Sequence, residues 1–259
     1  MSYVSAYPVF LINPCILPLK EIETSKIIGF GKYNKVTLKS PNYLPHAHYS
    51  RLIIANLTTH IHERPERSYY LIASSISDFF KKVTGQNVIS GGTYKNFIRA
   101  LDEVFDTTFK IEPNGQCVIS QSGSLIFDDF NIGDYHVKDR EVIYTPSINF
   151  KELAACVNSV VPIDISFLQF VRSKDVVLAH DLYIYLVLLG LKKDELFFIP
   201  WKDLHKYIFI HLRELNLSRF KRRFFRALDL IVTYHQTANI SVNCSELGVH
   251  IIYIDIQTN

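Results

Sequence analysis

The chain lacks most of what marks an enzyme or a membrane protein. Its four cysteines, Cys15, Cys117, Cys156 and Cys244, stand far apart, which excludes a zinc knuckle or a small disulfide scaffold and leads us to expect a reduced, cytoplasmic protein. There is no Gly-x-x-x-x-Gly-Lys-Ser/Thr phosphate loop, and Gly29-Phe30-Gly31 has neither the third glycine nor the helix of a dinucleotide site. No nucleotide cofactor is expected. The apolar run from Val9 to Leu19 is broken by Asn13, Pro14 and Pro18, with no basic residues before it and no small-residue cleavage site after it, so no signal peptide is expected. Val176 to Leu191 carries His180 and Asp181 and falls short of the ~20 residues a membrane span needs, so a buried helix is expected there and no membrane partner. Net charge is also scant. At +3 for 259 residues it identifies no polyanion partner by itself, and only the distribution of basic residues can do so.

What the chain does have is a repeat. Phe97-Ile98-Arg99-Ala100-Leu101-Asp102 returns as Phe224-Phe225-Arg226-Ala227-Leu228-Asp229, with Phe, Arg, Ala, Leu and Asp in the same order. Self-similarity of this kind points to two copies of one small module. Each copy is a basic helix followed by residues of strand character, which is the outline of a winged helix. A chain of this length, 48% hydrophobic, has enough apolar residues for two such cores.

The order of elements supports the doubling. Residues 1–44, with Pro8, Pro14, Pro18 and Pro41, read as an extended lead-in with one strand near Lys35-Val36-Thr37-Leu38. Leu52, Ile53, Leu57 and Ile61 then recur at helical spacing, and Ser74-Ser75 caps a short helix through Lys82. Gly91-Gly92 breaks the chain before the first basic helix. Strands are expected over Thr107–Glu112, Gln116–Ser120, Ser124–Ile132 and Glu141–Thr145, with turns at Asn114-Gly115, Ser122-Gly123 and Gly133-Asp134. A helix near Phe150–Val157 and the extended Val160–Asp164 lead to a long helix over Val176–Leu191, a short one from Pro200-Trp201, a basic one from Ser218, and a terminal hairpin, Asn239–Cys244 with Val249–Ile256. The expected fold is α+β: two tandem winged-helix domains related by internal duplication, the first over 45–158 and the second over 159–259.

The helix from Ser218 carries the sharpest chemistry. Phe220, Phe224, Ala227, Leu228 and Ile231 form one apolar stripe, opposite which lie Arg219, Arg222 and Arg226, with Arg223 at the edge and Lys221 nearby. Ser218 reads as the N-cap, leaving free N–H groups for a phosphate. Guanidinium groups serve both phosphates and guanine edges, and like charges packed this densely repel unless an anion neutralises them. The first copy points Lys95, Asn96 and Arg99 outward, flanked by Tyr94; asparagine and arginine suit adenine and guanine edges, and lysine suits phosphate. The competing reading is a solvated basic face, with Arg99 paired to Asp102 and Arg226 to Asp229 at i,i+3 spacing. The candidate interface is therefore Tyr94, Lys95, Asn96, Arg99, Ser218, Arg219, Lys221, Arg222, Arg223 and Arg226, facing double-stranded DNA.

Several further motifs occur in a familiar order: Leu44-Pro45-His46-Ala47-His48-Tyr49-Ser50-Arg51-Leu52-Ile53-Ile54-Ala55-Asn56-Leu57-Thr58-Thr59, then Val161-Pro162-Ile163-Asp164, Ala179-His180-Asp181-Leu182-Tyr183-Ile184-Tyr185-Leu186, Pro200-Trp201-Lys202-Asp203-Leu204 and Arg219–Leu228. From about Phe30 onward the chain resembles the plasmid replication initiators of the RepA type. The resemblance implies binding to direct repeats at a plasmid origin, opening of an adjacent AT-rich segment, and recruitment of host replication proteins such as a helicase or its loader. It also implies a homodimer that represses its own gene. One departure is that residues 1–44 contain no arginine, although members of the family often carry a more basic N-terminal segment.

Two other classes compete. A winged-helix transcriptional repressor would need the same helices in the same grooves. A rolling-circle initiator would nick DNA with a tyrosine, Tyr94 or Tyr69, beside a His-hydrophobic-His metal pair. His60-Ile61-His62 and His46-Ala47-His48 match that pair in letters, but a helix, unlike a strand, turns residues i and i+2 apart. Asp128-Asp129 could hold a metal ion but reads as a solvated pair. No catalytic or metal-binding residue is expected.

Overall fold

The computed structural model describes residues 4–8, 11, 16–22, 26–30, 34–113, 127–156, 159–190, 197–205, 209, 212, 216–235 and 239–255. The expected strand at Gln116–Ser120, the turns at Asn114-Gly115 and Ser122-Gly123, and Cys15 and Cys117 lie outside them. Over the described residues the chain mixes helices with small antiparallel sheets, as expected of an α+β protein. No helix among them is long and apolar enough to cross a membrane.

Three strands, β1 (Val4–Pro8), β2 (Lys26–Phe30) and β3 (Asn34–Lys39), precede a long helix, α1 (Ala47–Glu63). Then come β4 (Tyr70–Ala73), α2 (Ile76–Thr84), α3 (Gly91–Asp106), β5 (Thr108–Pro113), β6 (Phe127–Phe130) and the hairpin β7 (Gly133–Lys138) with β8 (Glu141–Pro146). After α4 (Ile148–Ala155), β9 (Val160–Asp164) and α5 (Ile165–Ser173), the order repeats. It runs α6 (Val177–Gly190), β10 (Phe197–Pro200), a single helical turn at Trp201–Asp203, α7 (Leu217–Tyr234), and the hairpin β11 (Asn239–Cys244) with β12 (Gly248–Asp255).

The two sheets that follow the basic helices are built alike. One has the order β4-β8-β7 and the other β10-β12-β11, so in each the last strand lies between its hairpin partner and the strand before the helices. Phe97 and Phe224, Ala100 and Ala227, and Val104 and Ile231 are all buried, so the repeated stripe faces the core in both copies. Phe97 is held edge-on by Tyr49, Phe79 and Phe80 at 5.8, 5.6 and 5.2 Å, and Phe224 edge-on by Trp201 at 5.1 Å.

Several local expectations are corrected. Residues 1–44 are more than a lead-in with one strand: β1 pairs with β9, while β2 and β3 form a four-stranded sheet with β5 and β6. The short strands β4 and β10 and the helix α5 were not expected, since four-residue strands are too brief to show a period. Gly91 and Gly92 open α3 under a Ser90 cap and do not break the chain. Gly133-Asp134 begins β7 where a turn was expected. Gly133 adopts φ 135 and a Cβ there would lie 2.2 Å from the Thr145 carbonyl oxygen, so only glycine allows this approach of β7 to β8. The turn falls instead at Asp139-Arg140, both at positive φ, as a tight hairpin requires.

The halves meet through a buried polar joint. Arg51, on α1 and with no exposed surface, donates Nε and Nη2 to the two carboxylate oxygens of Asp181 on α6, at 2.7 and 2.6 Å. Nη2 also reaches the Leu17 carbonyl at 2.7 Å, and Nη1 those of Pro18 and Ala47 at 3.1 and 2.8 Å. All five guanidinium hydrogens are thereby used. Ala47 itself sits at φ 54, a conformation costly for a residue with a Cβ, and is held by Arg51 at its carbonyl and by the Pro18 carbonyl at its N–H, 3.2 Å away. Beside this pair, His48 Nδ1 lies 3.0 Å from His180 Nε2.

Removing the carboxylate would strand a buried cation. Asp181→Asn should cost about 3–5 kcal/mol of unfolding free energy, measured by urea titration; a loss below 1 kcal/mol would show that the guanidinium is satisfied without it. The histidines set a pH window. Burial first, and then the Arg51 guanidinium, hold His48 down to about 4, and burial holds His180 well below the ordinary value of 6.5. Both bind fewer protons folded than unfolded, so the stability they contribute is full above about pH 6.5 and is lost as the pH falls toward 4. For His48 the loss is on the order of 3 kcal/mol. The urea midpoint should fall across that window and fall less in His48→Gln; an unchanged slope would remove His48 from the joint's titration.

Candidate nucleic-acid interface

α7 is positioned by its apolar side. Phe220 packs on His205 and Phe209, with ring centroids 5.0 and 6.1 Å apart, and Phe224 packs on Trp201, whose Nε1 donates to the Ser245 carbonyl at 2.9 Å. This fixes the rotation of the helix. Its opposite side presents an open cleft of ≈ 410 Å³ lined by Arg219, Arg222, Arg223 and Arg226. The first turn of α7 carries no acidic residue.

No carboxylate among the described residues pairs with any of these four arginines, and the expected Arg226–Asp229 pair does not form. Four guanidinium groups on one helix face, with no carboxylate partner among the described residues, make a strongly anion-attracting surface. The cap itself is corrected. Asn216 is the N-cap, its side chain accepting from the Arg219 N–H at 2.9 Å, and Ser218 lies exposed within the first turn. Serine and asparagine both cap well, so residue type alone does not separate the two positions. Lys221 also turns out differently: its Nζ donates to the Glu246 carbonyl at 3.3 Å and lies 4.9 Å from the Trp201 ring centroid. It ties α7 to the β11–β12 turn and does not join the arginine cleft.

α3 offers a quieter face. Lys95 and Asn96 are exposed and Tyr94 is half-buried. Arg99 is engaged: Nη1 lies 3.1 Å from Glu21 Oε2 and Nε lies 3.4 Å from Glu103 Oε1. The expected pairing with Asp102 is replaced by these two, because Asp102 accepts from the Tyr135 hydroxyl at 3.1 Å. That contact and burial push the Tyr135 hydroxyl up to about 12, burial being the larger cause.

Residues missed in the sequence include Asn216, Glu21 and Phe225, an exposed ring set against Trp201 at 5.6 Å on the border of the arginine face. Alternation of Phe224 and Phe225 could have shown that both rings cannot point inward. The histidine motifs hold no metal-ligand geometry. His60 and His62 both lie on α1; His62 Nδ1 sits 3.1 Å from the Ala154 carbonyl, and burial, ahead of Lys82 and Arg64, holds His60 down to about 4. Among the described residues no group of three or more His, Cys, Asp or Glu could hold a metal ion.

No protein-family model and no curated protein matches the chain. Solved structures do share its fold. A crystal structure of domains 2 and 3 of RctB aligns with a TM-score of 0.58 at 11% identity, covering 96% of this chain and 97% of that one. A second structure of RctB domains 2–3 aligns with a TM-score of 0.53 at 11% identity, covering 93% and 94%. At this identity the likeness is one of fold, and it extends over nearly the whole of both chains.

Proposed function

We propose that the protein binds double-stranded DNA and initiates replication, with α3 and α7 as the groove-facing helices of two winged-helix modules. The observation that carries this reading is the arginine cleft on α7, four cations on one exposed helix face with no carboxylate among the described residues paired to them. The matching sheet orders β4-β8-β7 and β10-β12-β11, each following a helix with the same buried stripe, support the winged-helix duplication. The fold neighbour supports the role: RctB is a replication initiator of Vibrio chromosome II that binds an origin. The resemblance to RepA-type proteins supplies the finer reading. In it the target is direct repeats at a plasmid origin, the partners are host helicase-loading proteins, and a homodimer represses the gene.

On this reading α7 lies in the major groove, Arg222 and Arg226 toward base edges, Arg219 and Arg223 toward phosphates, and Phe225 beside them suited to a thymine methyl. Neutralising about three phosphates per module gives a log–log slope of affinity against salt of roughly −5. Replacing Arg219, Arg222, Arg223 and Arg226 together by Gln should flatten that slope by roughly half, measured by fluorescence anisotropy on duplex DNA. Wild-type binding by that variant would remove α7 from the interface.

The protein acts by binding and does not cut DNA. Support comes from α1, whose geometry turns His60 and His62 away from a shared metal ion. Supercoiled plasmid incubated with the protein and Mg²⁺ or Mn²⁺ should stay supercoiled. A covalent tyrosine–DNA adduct, lost on replacing His60 and His62 by Ala, would place it among the nickases instead.

A further inference from the structure

Arg99 is held from two sides that differ in kind. On the inside, Nε meets Glu103, which is 5% exposed, and Glu103 Oε2 lies 3.1 Å from His46 Nδ1. His46 Nδ1 is also 3.1 Å from the Leu44 carbonyl, so this nitrogen faces two acceptors and carries the hydrogen. That leaves Nε2 to face Arg99 Nη2, at 3.5 Å. On the outside, Nη1 meets Glu21, whose side chain is 45% exposed, at 3.1 Å. The inner carboxylate is part of the core. The outer one belongs to the segment 16–22 and stands where an oxygen anion from solvent could stand equally well.

Glu21 is placed there by the joint between the halves. Ile16, Leu17 and Pro18 are buried, and the carbonyls of Leu17 and Pro18 are gripped by Arg51, the same guanidinium that forks onto Asp181. Three residues further on, Glu21 reaches α3. Lys95 and Asn96 lie on the same exposed face, so the carboxylate sits on the surface that a DNA backbone would approach.

We infer that Glu21 is an internal phosphate surrogate: it occupies the outer edge of a preformed phosphate-binding residue, Arg99, and a DNA phosphate displaces it. Glu103 and His46 keep the guanidinium extended and oriented in both states, so no ordering is left for DNA to do at this position. The exchange swaps one carboxylate for one phosphate oxygen, with Glu21 released into water. It tunes the first module by setting a fixed electrostatic threshold on its face, and it links that face to the Arg51–Asp181 joint that holds segment 16–22. This inference rests on the DNA-binding reading above.

The test uses the full chain and a fluorescein-labelled 30-base-pair duplex of mixed sequence, since a phosphate contact needs no particular site. Glu21→Gln should tighten binding by up to about fivefold, the ~1 kcal/mol ceiling of an exposed ion pair. Glu66→Gln, an exposed carboxylate outside α3, removes the same charge and should change affinity by well under half as much. In an Arg99→Lys background, where a single ammonium cannot span both carboxylates, the gain from Glu21→Gln should vanish; thermal unfolding of each variant establishes that it is folded, and Arg99→Gln serves if the lysine variant is not. Equal gains from Glu21→Gln and Glu66→Gln, or a gain that persists without Arg99, would overturn the inference. If wild-type binding shows no salt dependence and survives loss of the four α7 arginines, the DNA reading itself falls; if those tests hold and Glu21→Gln is silent, only the surrogate falls.

Discussion

A guanidinium with no exposed surface holds this molecule together. Arg51 spends two hydrogens on Asp181 and three on backbone carbonyls of residues 17, 18 and 47, so it fastens α1 to α6 and the N-terminal segment to both. Desolvating such a charge is expensive, and only a complete set of partners offsets it. Burial pushes the Asp181 carboxyl above its ordinary value even with Arg51 against it, a measure of how dry the site is. An apolar pair of similar volume could not replace it without removing the donors that Arg51 supplies to the Leu17, Pro18 and Ala47 carbonyls. The strand pair β1-β9 and the contact of His48 with His180 lie alongside and depend on the same register of α1 against α6. Because α3 packs on α1 and α7 packs on α6, this joint also sets how the two basic helices stand relative to each other.

The two copies keep one inward stripe and differ in what they turn outward. Phe, Ala and the apolar residue a turn later are buried in both, since they fill equivalent places over their sheets. Outward, α7 carries four arginines that have no carboxylate partner among the described residues, whereas the single arginine of α3 is balanced by Glu21 and Glu103. The attraction for anions therefore belongs mainly to the α7 face. On the DNA-binding reading proposed above, the α3 face, with Lys95 and Asn96 exposed and Arg99 balanced by carboxylates, would add discrimination once α7 has docked.

Much of this was legible in the sequence. The repeat marked α3 and α7, and their buried faces follow from 3.6-residue periodicity at Phe97, Leu101 and Val104 and at Phe220, Phe224 and Ile231. The terminal hairpin was visible in its alternation. What the sequence did not reveal depended on partners far along the chain. Arg99 reads the same as Arg226 until Glu21 is placed beside it, and Lys221 reads as one more basic residue until Trp201 is under it. The motifs around His48-Arg51 and His180-Asp181 were noticed only as family resemblance, because nothing local in either says that they meet. Gly133 looked like a turn, since glycine serves equally for a turn and for close strand approach.

If one joint holds two DNA-facing helices, a bound duplex should carry two separate protected patches. Hydroxyl-radical footprinting on a duplex selected from random sequence by the wild-type protein reads this directly. Wild type should protect two patches, and the variant lacking the four α7 arginines, at a concentration high enough to bind, should lose one and keep the other. A single patch that the variant loses entirely, with no second region of protection in the wild type, would contradict a two-helix interface.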